Sequence, residues 1–250
     1  MLCLHGFADT WRTWELVLPA LERRHDVLAP TLAGHAGGPP IAGEIGAGTL
    51  ADAVERKLDE IGWGTAHIVG NSLGGHVALQ LAMRGRARTV VALAPAGGWA
   101  QGDESYRRLL RFQASMLRQL APVAAHADAL LASAAGRRRA IRFVTTNFEH
   151  ILAELLAHQL RGAASSPVAA GLIEYAIRAK WSLDAELITC PVRIVWGTAD
   201  RLLPWPAAAT RFREDWLPRA DWVELDGIGH CPQLDVPLET AQLILGFTAH

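Results

Sequence analysis

The chain has 250 residues, half of them hydrophobic and a fifth charged, with 24 Lys and Arg against 25 Asp and Glu and a formal net charge of −1. That length accommodates one large α/β domain, or a core carrying an insertion, with a sizeable buried interior. The balance excludes a disordered chain and offers neither the basic excess of a nucleic-acid partner nor a charge-driven membrane surface.

Cys3, Cys190 and Cys231 are too few and too scattered for a disulfide framework or a zinc site. They read as reduced thiols of a cytoplasmic protein. No apolar run approaches the roughly 18–20 residues that span a bilayer. The opening Met1-Leu2-Cys3-Leu4-His5-Gly6 has neither the basic region nor the cleavage site expected of a signal peptide.

In chain order the strand and helix signals alternate. Residues 2–5 are expected to form a short buried strand, and residues 14–24 a helix with Trp14, Leu18 and Leu21 on one face. Residues 26–29 are strand-like, and Thr49 is placed to cap an amphipathic helix over 50–61. A strand over 65–69, a helix over 75–84 and a strand over 89–94 follow. Short apolar runs separated by helices predict a parallel sheet buried on both faces.

The pattern changes at Trp99. From there to about Leu187 the signals are helical only, over 105–120, 124–135, 137–146, 151–160 and 168–181. Strands are then expected at 192–196 and 222–225, with a closing helix over 238–248. The expected organisation is an α/β core of residues 1–98 and 188–250 with a helical cap, residues 99–187, inserted over the site. The Gly/Pro-rich stretch 34–48 reads as an ordinary loop, without the spacing of a phosphate cradle.

Gly70-Asn71-Ser72-Leu73-Gly74 lies between the 65–69 strand and the 75–84 helix. A turn this tight strains the backbone and leaves no room for a Cβ two residues to either side of the apex. A serine held there exposes its hydroxyl at a helix N-terminus, where backbone N–H groups favour negative charge. The bland alternative is that Ser72 merely caps the helix.

A serine hydroxyl needs a base to take its proton, and the base needs an acid to orient it. Asp200 follows the 192–196 strand and His230 follows the 222–225 strand, so both fall on loops at the carboxyl edge of the sheet with Ser72. Asp226, Asp215 and Asp221 are the rival acids; Asp226, four residues before His230, is better suited to shaping the turn.

With these residues in the order Ser, Asp, His, the chain resembles the α/β-hydrolase superfamily over essentially its full length. His5-Gly6-Phe7 is similar to that family's His-Gly motif, and residues 26–36 to its following strand and Gly-His loop. The resemblance implies an α/β-hydrolase fold of about six mostly parallel strands, with the cap inserted after the family's sixth strand. It also implies an oxyanion hole made by the backbone N–H groups of Phe7 and Leu73.

Two departures stand out. The antiparallel strand pair common at the start of such proteins has no counterpart here, which is read as a short or truncated chain with a sheet edge open to homodimerisation. The Gly70–Gly75 stretch also looks like the elbow of carbon–carbon hydrolases acting on ring-fission products, but Cys231 stands where those enzymes usually carry tryptophan after the histidine.

The implied chemistry is two-step acyl transfer on a small-to-medium carboxylic ester, using Ser72, His230 and Asp200. No metal or organic cofactor is expected, and no nucleic-acid or membrane partner. Carbon–carbon hydrolysis is the alternative, with lactone, thioester or perhydrolysis chemistry beside it. A receptor or signalling protein of the same fold is the non-enzyme reading.

Among the other histidines, His5 is assigned to the oxyanion-loop turn, His67 to a buried strand and His76 to the helix after the elbow. His126, His150 and His158 fall in the cap, and His35 is a candidate for the pocket entrance. Residues 99–186 carry eleven Lys and Arg against eight Asp and Glu, an excess of +3 that reads as a solvated face or, alternatively, a lure for acidic substrates. Of Trp99, Tyr106, Phe112, Phe143, Phe148, Tyr175 and Trp181, most are expected in the core between cap and base, with one or two facing the pocket.

Overall fold

The apolar runs become strands. In the computed structural model, which describes residues 1–41, 43–179 and 181–249, five strands pair in sequence order as one parallel sheet. They are β1 (Leu2–Leu4), β2 (Ala66–Asn71), β3 (Ala87–Leu93), β4 (Val192–Gly197) and β5 (Asp221–Leu225). Helices α1 (Leu18–Leu21), α2 (Thr49–Glu60) and α3 (Leu73–Met83) lie among the first three strands. Between β3 and β4 come α4 (Ser105–Ala124), α5 (Ala127–Leu131), α6 (Ala134–Ile141), α7 (Ala153–Ala164) and α8 (Ala169–Arg178). Short α9 (Pro232–Asp235) and α10 (Pro237–Phe247) close the chain.

Alternation along the strands sorts the core into two faces. Leu2, Leu4, Ile68, Val90, Ala92, Ile194 and Trp196 pack with α2 and α3 on one side. Cys3, Val69, Val91, Leu93 and Val195 pack with Trp14, Val17, Leu21 and Ile244 on the other. Each fully buried aliphatic side chain contributes about 1.5–3 kcal/mol. In α2 the buried Leu50, Val54 and Leu58 recur every four residues and draw that helix onto the sheet.

The segment between β3 and β4 builds a smaller core of its own. Ala127, Leu131, Phe148, Ile151, Leu155 and Leu156 cluster there with Cys231 and Leu234 from the region after β5. Val168 and Leu172 reach instead into the main core. The helical segment therefore stands on the carboxyl edge of the sheet, where β1, β2, β4 and β5 deliver His5, Ser72, Asp200 and His230.

Several boundaries differ from expectation, each for a local reason. Residues 26–29 contribute only an isolated bridge, Leu28 beside Leu2, so the sheet has five strands rather than about six. The three-residue β1 leaves little edge to pair with, and Pro30 has no N–H to extend the ladder. The single helix expected over 14–24 is a 3-10 turn, Trp11–Trp14, followed by α1, with Pro19 in the first turn of the new helix.

Thr49 is the first helical residue of α2 rather than its cap; its hydroxyl accepts the Gly46 N–H at 2.8 Å. In the helical segment the breaks fall at Ser133, whose Oγ accepts the Gly136 N–H at 3.0 Å as the cap of α6. Two expected features touch residues outside the described ones: the 168–181 helix includes Lys180, and the 34–48 loop includes Ala42.

Candidate active site

The turn after β2 is strained as its sequence predicts. Ser72 has φ +55° and ψ −115°, a conformation that costs a non-glycine residue about 1–3 kcal/mol. It is held by Ser72 N–H donating to Leu93 O at 2.9 Å, and by Ser72 O accepting from His76 and Ala96 N–H at 3.1 and 3.0 Å. A Cβ at Gly70 would lie 2.2 Å from Gly74 O, and one at Gly74 would lie 2.2 Å from Leu4 O. Both glycines are therefore required by close backbone approach.

Phe7 and Leu73 flank the serine, and all three line one cavity. Leu73 is the first residue of α3, so its N–H has no acceptor within the helix. The Phe7 N–H makes no hydrogen bond among the described residues. Gly6 brings the Phe7 loop against the elbow: a Cβ on Gly6 would sit 3.4 Å from Ser72 Cβ.

On the neighbouring loops, His230 Nδ1 and Asp200 Oδ2 are 2.7 Å apart, and both residues are buried. The other carboxylate oxygen, Oδ1, accepts the N–H groups of Leu202 and Leu203, each at 2.8 Å. With Nδ1 donating to Asp200, Nε2 of His230 is the nitrogen left to accept a proton, and His230 lines the same cavity as Ser72.

The rival acids are engaged elsewhere. Asp226 accepts from the Thr198 hydroxyl at 3.1 Å, Asp221 pairs with Arg193, and Asp215 lies 3.5 Å from Arg211. Among the described residues Asp200 is the only carboxylate paired with the His230 ring.

A set of buried amides and carboxylates that the sequence did not single out holds the histidine loop. Asn71 Nδ2 donates to Leu93 O at 3.1 Å and His230 O at 3.0 Å, while its Oδ1 accepts from Gln233 Nε2 at 3.1 Å and Cys231 Sγ at 3.3 Å. Asp235 accepts three backbone N–H groups: Gly229 at 2.7 Å, Thr146 at 2.8 Å and Asn147 at 2.8 Å. It thereby ties the helical segment to the loop carrying His230. Only one cue was present in the sequence: a polar Asn71 closing β2 directly after the apolar Ile68-Val69-Gly70. Burial pushes the Cys231 thiol well above its ordinary value, leaving it an inert donor to Asn71.

The cavity has a volume of about 330 Å³ between the sheet edge and the helical segment. Five of the seven aromatics of the helical segment named above line it, namely Trp99, Tyr106, Phe143, Tyr175 and Trp181, more than the one or two expected. Phe148 is buried in the smaller core and Phe112 is exposed against Phe143. His76 also lines the wall, edge-on to Trp181 with ring centres 4.8 Å apart, and burial lowers it to about 4.

His35 does not reach the cavity; it is buried with its ring against His5, centroids 4.9 Å apart. His5 holds the loop beneath Phe7: its Nε2 accepts the Leu32 N–H at 2.8 Å and its Nδ1 donates to Gly6 O at 2.8 Å. His150 and His158 anchor the helical segment to the sheet side, through Leu234 O at 2.7 Å and Thr10 Oγ1 at 2.9 Å. His67 pairs with Thr89 Oγ1 at 3.0 Å.

Among the described residues, the cavity wall carries no Lys or Arg, and its one carboxylate is Asp9. Burial raises Asp9 to about 6, opposed by hydrogen bonds from Thr10 N–H and from the Thr13 and Gln159 side chains. No group of three or more His, Cys, Asp or Glu that could hold a metal ion occurs among the described residues. No helix among them is long and apolar enough to cross a membrane.

The fold and this site define a class, and comparison with known proteins agrees with it. Residues 1–243 match the alpha/beta hydrolase family, and the chain belongs to that family. It is 36% identical to epoxide hydrolase EphH of Mycobacterium tuberculosis over 213 residues, 79% of this chain and 92% of that protein. It is 31% identical to the pimeloyl-[acyl-carrier protein] methyl ester esterase of Aromatoleum aromaticum, over 98% of this chain and 96% of that one.

Its fold is also that of the meta-cleavage product hydrolase from Pseudomonas fluorescens IP01. The TM-score is 0.71 at 19% identity, covering 99% of this chain and 90% of that one. Family and relatives together support a hydrolase.

Proposed function

We propose that the protein is a serine hydrolase of small-to-medium carboxylic esters with an apolar acyl or alcohol part. The observation that carries this reading is the strained Ser72, open to the same cavity as a His230 already paired with Asp200 at 2.7 Å. Ser72 Oγ attacks the ester carbonyl while His230 Nε2 takes its proton, and Asp200 stabilises the imidazolium.

The N–H groups of Phe7 and Leu73 receive the oxyanion; losing one such donor typically costs about 10²–10³ in rate. His230 then protonates the departing alcohol, activates water and releases the acid. In this reading residues 99–187 act as a cap over a base made of 1–98 and 188–250, and the five aromatics on the wall receive the apolar group.

The 36% identical epoxide hydrolase favours a second reading, epoxide opening. Chemistry weighs against it. An epoxide opened by a carboxylate leaves an ester that water can cleave at a carbonyl. Opened by Ser72, it leaves an ether with no carbonyl to attack, and the enzyme does not turn over.

The test is an ester chain-length panel run beside an aryl epoxide and a ring-fission diketone, on wild type and Ser72→Ala. Ester hydrolysis that vanishes in the variant, with its circular dichroism unchanged, is the expected result. Ester hydrolysis surviving in Ser72→Ala, or epoxide or diketone turnover exceeding that of every ester, overturns the proposal.

A further inference from the structure

The cavity wall has an asymmetry that ester chemistry does not require. Its lining residues include no Lys or Arg among those described, its His76 is held neutral by burial, and Asp9 is its one carboxylate. Asp9 follows directly on the Phe7–Ala8 turn and is only partly exposed, facing the cavity. Its neighbours are uncharged donors: the Thr10 N–H at 2.8 Å, with the Thr13 and Gln159 side chains close by. No ion pair neutralises it among the described residues. His230, which gains positive charge during the proposed reaction, acts on Asp9 electrostatically.

A lone carboxylate in a low-dielectric wall acts on a bound molecule in two ways. It repels a second anion, and it accepts a hydrogen bond from a hydroxyl. The Arg-rich outer surface of the helical segment does not offset this, because its arginines do not reach the wall.

Building on the ester-hydrolase reading, we infer that Asp9 sets the substrate class: uncharged esters carrying a hydroxyl donor are accepted and carboxylate-bearing esters are rejected. For two unit charges about 6 Å apart at an effective dielectric near 20, the penalty corresponds to roughly 100-fold. A charge-assisted hydrogen bond from a hydroxyl is worth about 10-fold.

The experiment uses esters of one length whose tail ends in methyl, hydroxyl or carboxylate, placed in turn on the acyl and the alcohol side. Wild type and Asp9→Asn are compared by kcat/KM at pH 8. The asparagine keeps an oxygen for the Thr10 N–H.

Wild type is expected to hydrolyse the carboxylate ester about 100-fold less efficiently than the methyl ester, and the hydroxyl ester about 10-fold more efficiently. In Asp9→Asn both ratios are expected to shrink toward one. A wild-type carboxylate ester within threefold of the methyl ester, or ratios unchanged in Asp9→Asn, overturns the inference.

If wild type hydrolyses none of these esters, the ester reading fails and the tails are compared as amides by calorimetric binding. The same order, abolished in Asp9→Asn, still upholds the role of Asp9. Equal affinities, or no binding of any tail, overturn it.

Discussion

Asp200 illustrates how one side chain is fixed from two sides. Its Oδ1 is saturated by two backbone N–H groups, which leaves Oδ2 to face His230 Nδ1. Substituting Asn preserves shape but places an amide donor or a neutral oxygen against the imidazole, so the tautomer with a free Nε2 is no longer enforced. Asp200→Asn is expected to lower kcat on the preferred ester by about 10⁴, with the KM little changed. Among the described residues Asp226 accepts only from Thr198, so Asp226→Asn is expected to stay within a few-fold of wild type. Steady-state kinetics on both variants decides between the two acids, and the reverse ranking would assign the role to Asp226.

At the scale of elements, the connection between the helical segment and the histidine loop runs through Asp235. Its carboxylate accepts N–H groups from Gly229 on one side and from Thr146 and Asn147 on the other. Asp235→Ala leaves those donors without a partner in a buried position, at about 1–3 kcal/mol for each that water cannot reach. The expected result is a melting temperature lower by several degrees and weaker turnover, because the His230 loop loses its anchor. Thermal melts with parallel kinetics check it. A variant with an unchanged melting temperature and full activity would show that Asp235 positions nothing.

Acid sensitivity belongs to the whole molecule. Burial lowers His5 to about 3, and His35 and His76 to about 4, so the fold holds all three neutral while the unfolded chain protonates them near 6.5. Between pH 6.5 and 4 the unfolded state therefore binds more protons, and stability falls as the pH falls. Asp9, raised to about 6, opposes this, because the folded state holds its proton where the unfolded chain has lost it. Near pH 5 these four groups leave a net uptake of roughly two protons on unfolding, about 2–3 kcal/mol per pH unit. Denaturant melts from pH 7 to pH 4.5 should show that decline, with wild type steeper than His76→Gln. A flat profile would contradict the buried, neutral state of these histidines.

Local signals were legible in the chain, and long-range pairings were not. The strand–elbow–helix at Ser72 and the loops carrying Asp200 and His230 were legible because each follows an apolar run whose carboxyl end must meet the same edge. The strand expected at 26–29 was not realised, because pairing depends on the length of β1, which periodicity does not report. The helical segment was recognisable as helical, yet its aromatics were misplaced: five line the cavity, because that depends on how α4, α6 and α8 meet over the sheet. Asn71, Gln233 and Asp235 carry little local signal for a related reason. Their partners lie far away in sequence, at separations of 88, 159 and 162 residues.

The proposed hydrolysis passes through a covalent bond to Ser72. A rapid-quench reaction with excess p-nitrophenyl ester, followed by mass analysis of the peptide containing residue 72, looks for that bond directly. The expected result is a p-nitrophenolate burst approaching one per chain, the acyl mass on Ser72, and neither in Ser72→Ala. Steady release of p-nitrophenolate with no acyl mass on that peptide, or an acyl group carried by another residue, would contradict it.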